Sequence, residues 1–71
     1  MERSEVIVRV AGIVLRHRDK AGRVDAMRAE FAREDWKLAF DILISLIFLE
    51  AEMGRAEVER VRDRHATLAP L

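Results

Sequence analysis

One long apolar run, Trp36–Met53, constrains the fold of this chain more than any other stretch. Its sequence is WKLAFDILISLIFLEAEM, and apolar residues recur in it at the i, i+3, i+4 and i+7 spacing of a helical face. A second apolar stripe beside the first leaves only a narrow polar line. A helix that is apolar around most of its circumference is usually enclosed by other helices. The run is therefore predicted to be the central helix of a bundle.

The same run is too interrupted to be predicted as a membrane span. Asp41 and Ser45 break its apolar stretch, whereas a span needs about 20 apolar residues. Asp35 is expected to cap the helix, because its carboxylate can accept from the free N–H groups of the first turn. Gly54 is expected to end it, since glycine adopts the left-handed conformation at little cost.

The first segment, Glu5–Arg18, favours two structures at once. Its β-branched residues are typical of a strand, but they also form a helical stripe that Ser4 could cap. No other segment could pair with it as a strand, and a lone strand leaves its edges unsatisfied. We therefore expect a helix. The alternative is a dimer in which two copies pair this segment as an intermolecular ribbon.

The remaining segments complete an all-α fold. Asp19–Gly22 is predicted to be a turn and Arg23–Arg33 a short helix. Ala56–Leu68 is predicted to be a last helix that ends before Pro70, with one side formed by Val58, Val61, His65 and Leu68. Short connections favour antiparallel neighbours. We expect one domain over residues 1–71, a compact antiparallel bundle of three to four helices around the nearly fully apolar central helix.

Small size and composition indicate association with another protein. A chain of 71 residues buries only about 60% of its unfolded surface and is marginally stable alone. It contains no cysteine, so it has neither disulfides nor a thiolate metal site, which fits a cytoplasmic protein. The remaining source of extra stability is binding, either to a second copy or to a different partner.

The charge distribution argues against nucleic acid and favours a basic protein partner. The formal net charge is zero, whereas nucleic-acid affinity comes largely from neutralised phosphates. The basic cluster near the first turn, from Arg16 to Arg23, contains no aromatic residues on which bases could stack. Residues 34–54 hold only Lys37 against five acidic side chains: Glu34, Asp35, Asp41, Glu50 and Glu52. These acids predict either an ordinary solvated face with ion pairs between helices or a surface that meets a basic partner.

No residue pattern indicates catalysis, a metal site or a cofactor. The only histidines, His17 and His65, are far apart in the sequence, and His65 is expected to be a half-buried packing residue. The only serines, Ser4 and Ser45, are not in a nucleophile motif. Ser45 is expected to bond the carbonyl four residues back. We therefore expect a non-enzymatic protein with no metal and no cofactor.

Trp36, the one tryptophan, has two interpretations. It lies beside Glu34 and Asp35 at the predicted start of the central helix. As a core residue it would anchor this helix. As an exposed aromatic residue flanked by acids, it would resemble a binding hot spot. The predicted partner-binding set is Glu34, Asp35, Trp36, Asp41, Glu50 and Glu52.

One stretch resembles a family of bacterial proteins. AEFAREDWKLAFDILISLIFLEAEMGRAEVERVRD has an acidic turn at Glu34–Asp35, a Leu-Ala-x-acid-x-Leu helix from Leu38 to Leu43, a break at Gly54 and an acidic start to the last helix at Glu57. This order resembles small immunity proteins of polymorphic and contact-dependent toxin systems, including the MafI-like group. The resemblance implies an all-α cytosolic protein that binds and neutralises a toxin domain without chemistry of its own.

Three functional hypotheses follow. The first is a small immunity or antitoxin-type inhibitor that neutralises a protein partner, such as a basic toxin domain, through an acidic helical face. The second is a homo-oligomeric scaffold or adaptor, at its simplest a homodimer, in which surplus apolar surface at Ile44 or Phe48 is buried between copies. The third is a nucleic-acid-binding accessory protein.

Overall fold

The computed structural model describes residues 1–67, which form four α-helices with short connections. In chain order they are α1 (Arg3–Arg16), α2 (Lys20–Glu30), α3 (Trp36–Met53) and α4 (Arg55–Ala66), with a 3-10 turn at Arg33–Asp35 before α3. None of the residues described is in a strand. The predicted all-α bundle is confirmed, and its β-branched first segment is a helix.

The most deeply buried helix is α1. Six of its side chains are buried: Val6, Ile7, Val10, Ala11, Ile13 and Val14. It packs most extensively against α4 and next against α3, so that both neighbours cover its β-branched side chains. Within this environment the low intrinsic helix propensity of valine and isoleucine is offset by burial of their apolar surface.

The apolar helix α3 is buried on one side only, although its pattern predicted enclosure on nearly all sides. Its buried residues are Ala39, Ile42, Leu43 and Leu46, and they join a core that also contains Met27, Phe31 and Val58. On the opposite side, Ile44 and Phe48 are 53% and 65% exposed. The reason is that α1 and α4 pack against each other more extensively than against α3, so that α3 meets its neighbours with one side and its outer side stays uncovered.

The start of α2 differs from the prediction. Asp19 takes the N-cap position, and its side chain accepts a hydrogen bond of 3.2 Å from the Gly22 backbone N–H. The helix therefore begins at Lys20, inside the segment predicted to be a turn, because a capping aspartate satisfies a free donor of the first turn. The helix ends at Glu30, since Phe31 has an extended backbone with φ −120°.

Two of the predicted caps make no side-chain capping bond. Helix α1 begins at Arg3, so that Ser4 lies within its first turn and Glu2 occupies the cap position. Asp35 occupies the cap position of α3, but the preceding 3-10 turn already gives it a helical backbone (φ −94°, ψ −5°). A capping side chain usually requires an extended backbone at that position.

The break between α3 and α4 is confirmed at Gly54. Its φ of +91° lies in the region that favours glycine, and this one residue joins the two helices. On α4, Val58 is buried, and Val61 and His65 are partly buried. This agrees with the prediction that the three residues share the side of α4 that packs against the other helices. Leu68 and Pro70, predicted to complete that side and to end the helix, lie outside the described residues.

Candidate protein-binding face

The outer side of α3 carries an apolar strip between charged residues. We call it the α3 face; its residues are Lys37, Asp41, Ile44, Ser45, Phe48 and Glu52, all of them exposed. Their spacing of three, four or seven residues places them on one side of the helix. Phe48 and Ile44 are among the few large apolar side chains that the described residues expose. A local apolar surface with a polar border is typical of a protein interface.

A groove between α2 and α3 adjoins this face. It has a volume of about 440 Å³, and Ile44 belongs to both the groove and the α3 face. Its other apolar lining comes from Val24, Phe40, Leu43 and Ile47. Lys20, which is exposed, lies on the α2 side of the groove. The groove therefore extends the apolar strip sideways and gives it one basic border.

Four of the five acidic residues predicted to bind a partner fall into two places. Asp41 and Glu52 lie on the α3 face, where both are exposed. Glu34, exposed, and Asp35, half-buried, lie in the 3-10 turn that precedes α3. These four carboxylates take part in none of the ion pairs formed within residues 1–67. Lys37 lies one turn before Asp41 on the same side of α3, so that the α3 face holds two carboxylates and one lysine.

Glu50 has a different environment from the other acids of the predicted set. Its Oε1 accepts from Arg23 at 3.0 Å and its Oε2 accepts from Arg55 at 3.0 Å. The glutamate side chain is 21% exposed and that of Arg23 only 8% exposed. Both oxygens are thus occupied by arginines of neighbouring helices, which gives Glu50 a role in holding α2, α3 and α4 together.

The same two arginines bind the carboxyl end of α1. Arg23 donates to the carbonyls of His17 at 2.7 Å and Val14 at 3.1 Å, and Arg55 donates to the carbonyl of Leu15. These carbonyls lie at a helix end, where they lack helical N–H partners. The sequence placed Arg23 only in a basic cluster. No local pattern indicates a contact between residues 27 positions apart, such as Arg23 and Glu50.

Trp36 combines features of both of its interpretations. Its indole N–H donates to the Phe31 carbonyl at 3.1 Å, and its ring meets that of Phe40 edge-on at a centroid distance of 6.2 Å. The side chain is half-buried and packs against the core. Trp36 therefore anchors the start of α3, and its contact with Phe40 places it next to the groove.

Both serines and one of the two histidines have structural partners for their side chains. Ser45 donates to the Asp41 carbonyl at 3.1 Å, which confirms the predicted bond four residues back. His65 is half-buried, and its Nδ1 lies 3.5 Å from the Ser4 hydroxyl. Among residues 1–67, no three metal-ligating side chains come together. No helix in that range has the length and apolarity needed to cross a membrane.

Comparisons with protein-family models, with curated proteins and with solved structures give no match to this chain. The resemblance to small immunity proteins therefore remains a prediction that depends on its sequence residues alone.

Proposed function

We propose that this chain is a non-catalytic protein-binding module, an inhibitor of the immunity or antitoxin type, that contacts its partner through the α3 face. The observation that carries the proposal is the exposed pair Ile44 and Phe48, bordered by Asp41 and Glu52. An apolar centre with a polar rim is the usual anatomy of a protein interface, and aromatic residues at such centres often supply much of the binding energy.

The charge of this region supports a basic partner. Four carboxylates without ion pairs, Glu34, Asp35, Asp41 and Glu52, lie in a range, residues 34–53, whose one basic residue is Lys37. Opposite charges across an interface raise the association rate and exclude partners of the wrong sign. The sequence resemblance implies a toxin domain as the partner, and a basic one would have the charge that this region attracts.

Capture from the native cell lysate tests the proposal with two matched variants. Phe48→Ser removes the exposed aromatic ring of the α3 face. Met53→Ser is the control, because Met53 is similarly exposed, at 63%, but lies on another side of α3. We expect the wild type and Met53→Ser to retain one basic protein in a fixed ratio, and Phe48→Ser to bind it about tenfold more weakly or worse.

The captured protein is then expressed alone and together with this chain. An inhibitor function requires that it arrests growth alone and that co-expression of the wild type, but not of Phe48→Ser, restores growth. A captured protein that is harmless alone would contradict the inhibitor function. Equal capture by Phe48→Ser would show that the α3 face is not the contact surface.

The homo-oligomeric scaffold is the second candidate, favoured by the same exposure of Phe48 and Ile44. It makes a different prediction, because a chain stabilised by its own copies has a melting temperature that rises with its concentration in the absence of any partner. Sedimentation equilibrium of the wild type and Phe48→Ser distinguishes the two candidates. A dimer that the substitution dissociates would support the scaffold.

A further inference from the structure

We infer that the segment bound by the α3 face is an amphipathic helix whose apolar side enters the groove and whose basic residues lie along Asp41 and Glu52. This inference rests on the proposed function, since it specifies which part of the partner the face recognises. It combines the shape of the groove with the charges on its two borders.

The lining of the groove has a spacing that suits a helix. On α3 its lining residues, Phe40, Leu43, Ile44 and Ile47, repeat at helical spacing over two turns, or about 10 Å of helix axis. The opposite side is formed by α2, through Lys20, Arg23 and Val24. A groove between two helices accepts a third helix through apolar residues at i, i+3, i+4 and i+7. Phe48, beside Ile44 on α3, extends this contact toward the acidic border.

The two borders of the site carry opposite charges. Asp41 and Glu52 form the acidic border, eleven residues apart on α3. This separation is about 16 Å along the helix axis, or three turns. A helix lying along α3 therefore matches both carboxylates when it carries two Lys or Arg residues about eleven positions apart. Lys20 forms the other border, on α2, and it favours a neutral or acidic residue on the side of the bound helix that faces α2.

A second copy of this chain is the poorer occupant. Its own α3 face offers Lys37 as the single cation against Asp41 and Glu52. Lys37 is the only basic residue of Trp36–Met53, so that two copies packed with α3 against α3 offer one cation where Asp41 and Glu52 call for two about eleven positions apart. A helix with two such cations satisfies both carboxylates, which is why we assign the site to a different chain.

Synthetic peptides of about 18 residues test the inference directly, as this length spans all of α3. All have a leucine stripe on an alanine background. The first peptide carries two lysines eleven positions apart beside the leucine stripe. The second carries the two lysines on the side of the helix opposite the stripe. The third carries two glutamates at the lysine positions of the first. We expect fluorescence anisotropy to show about tenfold tighter binding of the first peptide than of the third, and intermediate binding of the second. Equal affinity for all three would overturn the inference.

Charge variants of the protein locate the site. The double variant Asp41→Lys with Glu52→Lys should weaken binding of the first peptide about tenfold or more, because two attractions become two repulsions. The matched control is Asp25→Lys with Glu59→Lys, which makes the same change of charge at exposed residues of α2 and α4. It should leave the affinity within about twofold. Equal weakening in both double variants would overturn the assignment to the α3 face.

Lys20→Glu is expected to raise the affinity for a basic peptide. A misfolded variant would lower it, so that a gain cannot result from misfolding. It replaces the basic border of the groove with an acidic one, at a helix position where glutamate is also favourable. Binding of a peptide with lysines on both sides of its leucine stripe should become about threefold tighter. An unchanged or weaker affinity would show that the second border of the groove does not contact the peptide.

Failure of the inference is distinguishable from failure of the proposed function. If the native partner is captured through Phe48 but no peptide is preferred, the partner presents something other than a basic helix and only the inference is wrong. If sedimentation equilibrium shows a dimer that competes with the peptide, a second copy occupies the site and the inference is wrong. Peptide binding without any toxic native partner would uphold the inference and refute the inhibitor function.

Discussion

At the scale of single residues, two glutamates on α3 have opposite environments. Glu50 is bound by Arg23 and Arg55, whereas Glu52 is exposed and makes no ion pair among residues 1–67. Their positions differ by two residues, or about 200° around the helix, which directs one toward the neighbouring helices and the other to solvent. The sequence showed both as members of one acidic block, because periodicity does not reveal where the neighbouring helices lie.

Glu50→Gln should destabilise the fold, and Glu52→Gln should not. The first change removes the negative charge between two arginines, one of them buried, and should lower the free energy of unfolding by about 1–3 kcal/mol. The second should stay within about 0.5 kcal/mol of the wild type, as is usual for exposed residues. Urea titration followed by circular dichroism measures both. Similar stabilities of the two variants would contradict the structural role of Glu50.

At the scale of elements, sequence patterns predicted the type of each helix better than its ends or its neighbours. The β-branched first segment was correctly predicted to be a helix, since nothing else in the chain could pair with a strand. The start of α2 was predicted too late, because Asp19 was assigned to a turn and not to a cap. The outer side of α3 was predicted to be buried, because its apolar residues say nothing about how many neighbours are present to cover them.

Two glycine substitutions should change stability in opposite directions. Gly54 joins α3 to α4 with φ +91° and ψ 168°, and Gly54→Ala should lower the free energy of unfolding by about 1–3 kcal/mol. Gly12 lies within α1, where an added Cβ would meet only the flexible guanidinium of Arg16, at 2.9 Å. Gly12→Ala should therefore raise the free energy of unfolding by about 0.5 kcal/mol, because alanine favours a helix. The same urea titrations measure both changes.

At the scale of the whole molecule, the fold depends on α1 and the candidate function on α3. The helix with the most buried side chains is the first, while the helix with the strongest apolar pattern provides the exposed face. The fold class was predictable because alternating helices and short turns admit few arrangements. The candidate face was predictable only in part. The sequence indicated Asp41 and Glu52 as partner contacts and Ile44 and Phe48 as surplus apolar surface, but the packing of the other helices decides that these four residues share one exposed side.

Hydrogen exchange should show that α1 is the most stable helix of the fold. We expect the amides of α1 to exchange most slowly, through global unfolding, because both α3 and α4 cover that helix. Amides at the start of α2 should exchange faster, since α2 makes fewer contacts with its neighbours. Equal protection of α1 and α2, measured by mass spectrometry of peptic fragments, would contradict a fold centred on α1.

The packing of α1 against α4 also affects how the chain is made. Helix α1 is translated before the other three helices, and it contacts most extensively α4, the last of the four. At 5–20 residues per second, the ~50 residues between the ends of α1 and α4 take roughly 3–10 s to synthesise. During that time the valine- and isoleucine-rich surface of α1 lacks its main cover. Transiently exposed apolar surface is prone to aggregation, so we expect the incomplete chain to depend on chaperones more than the finished one.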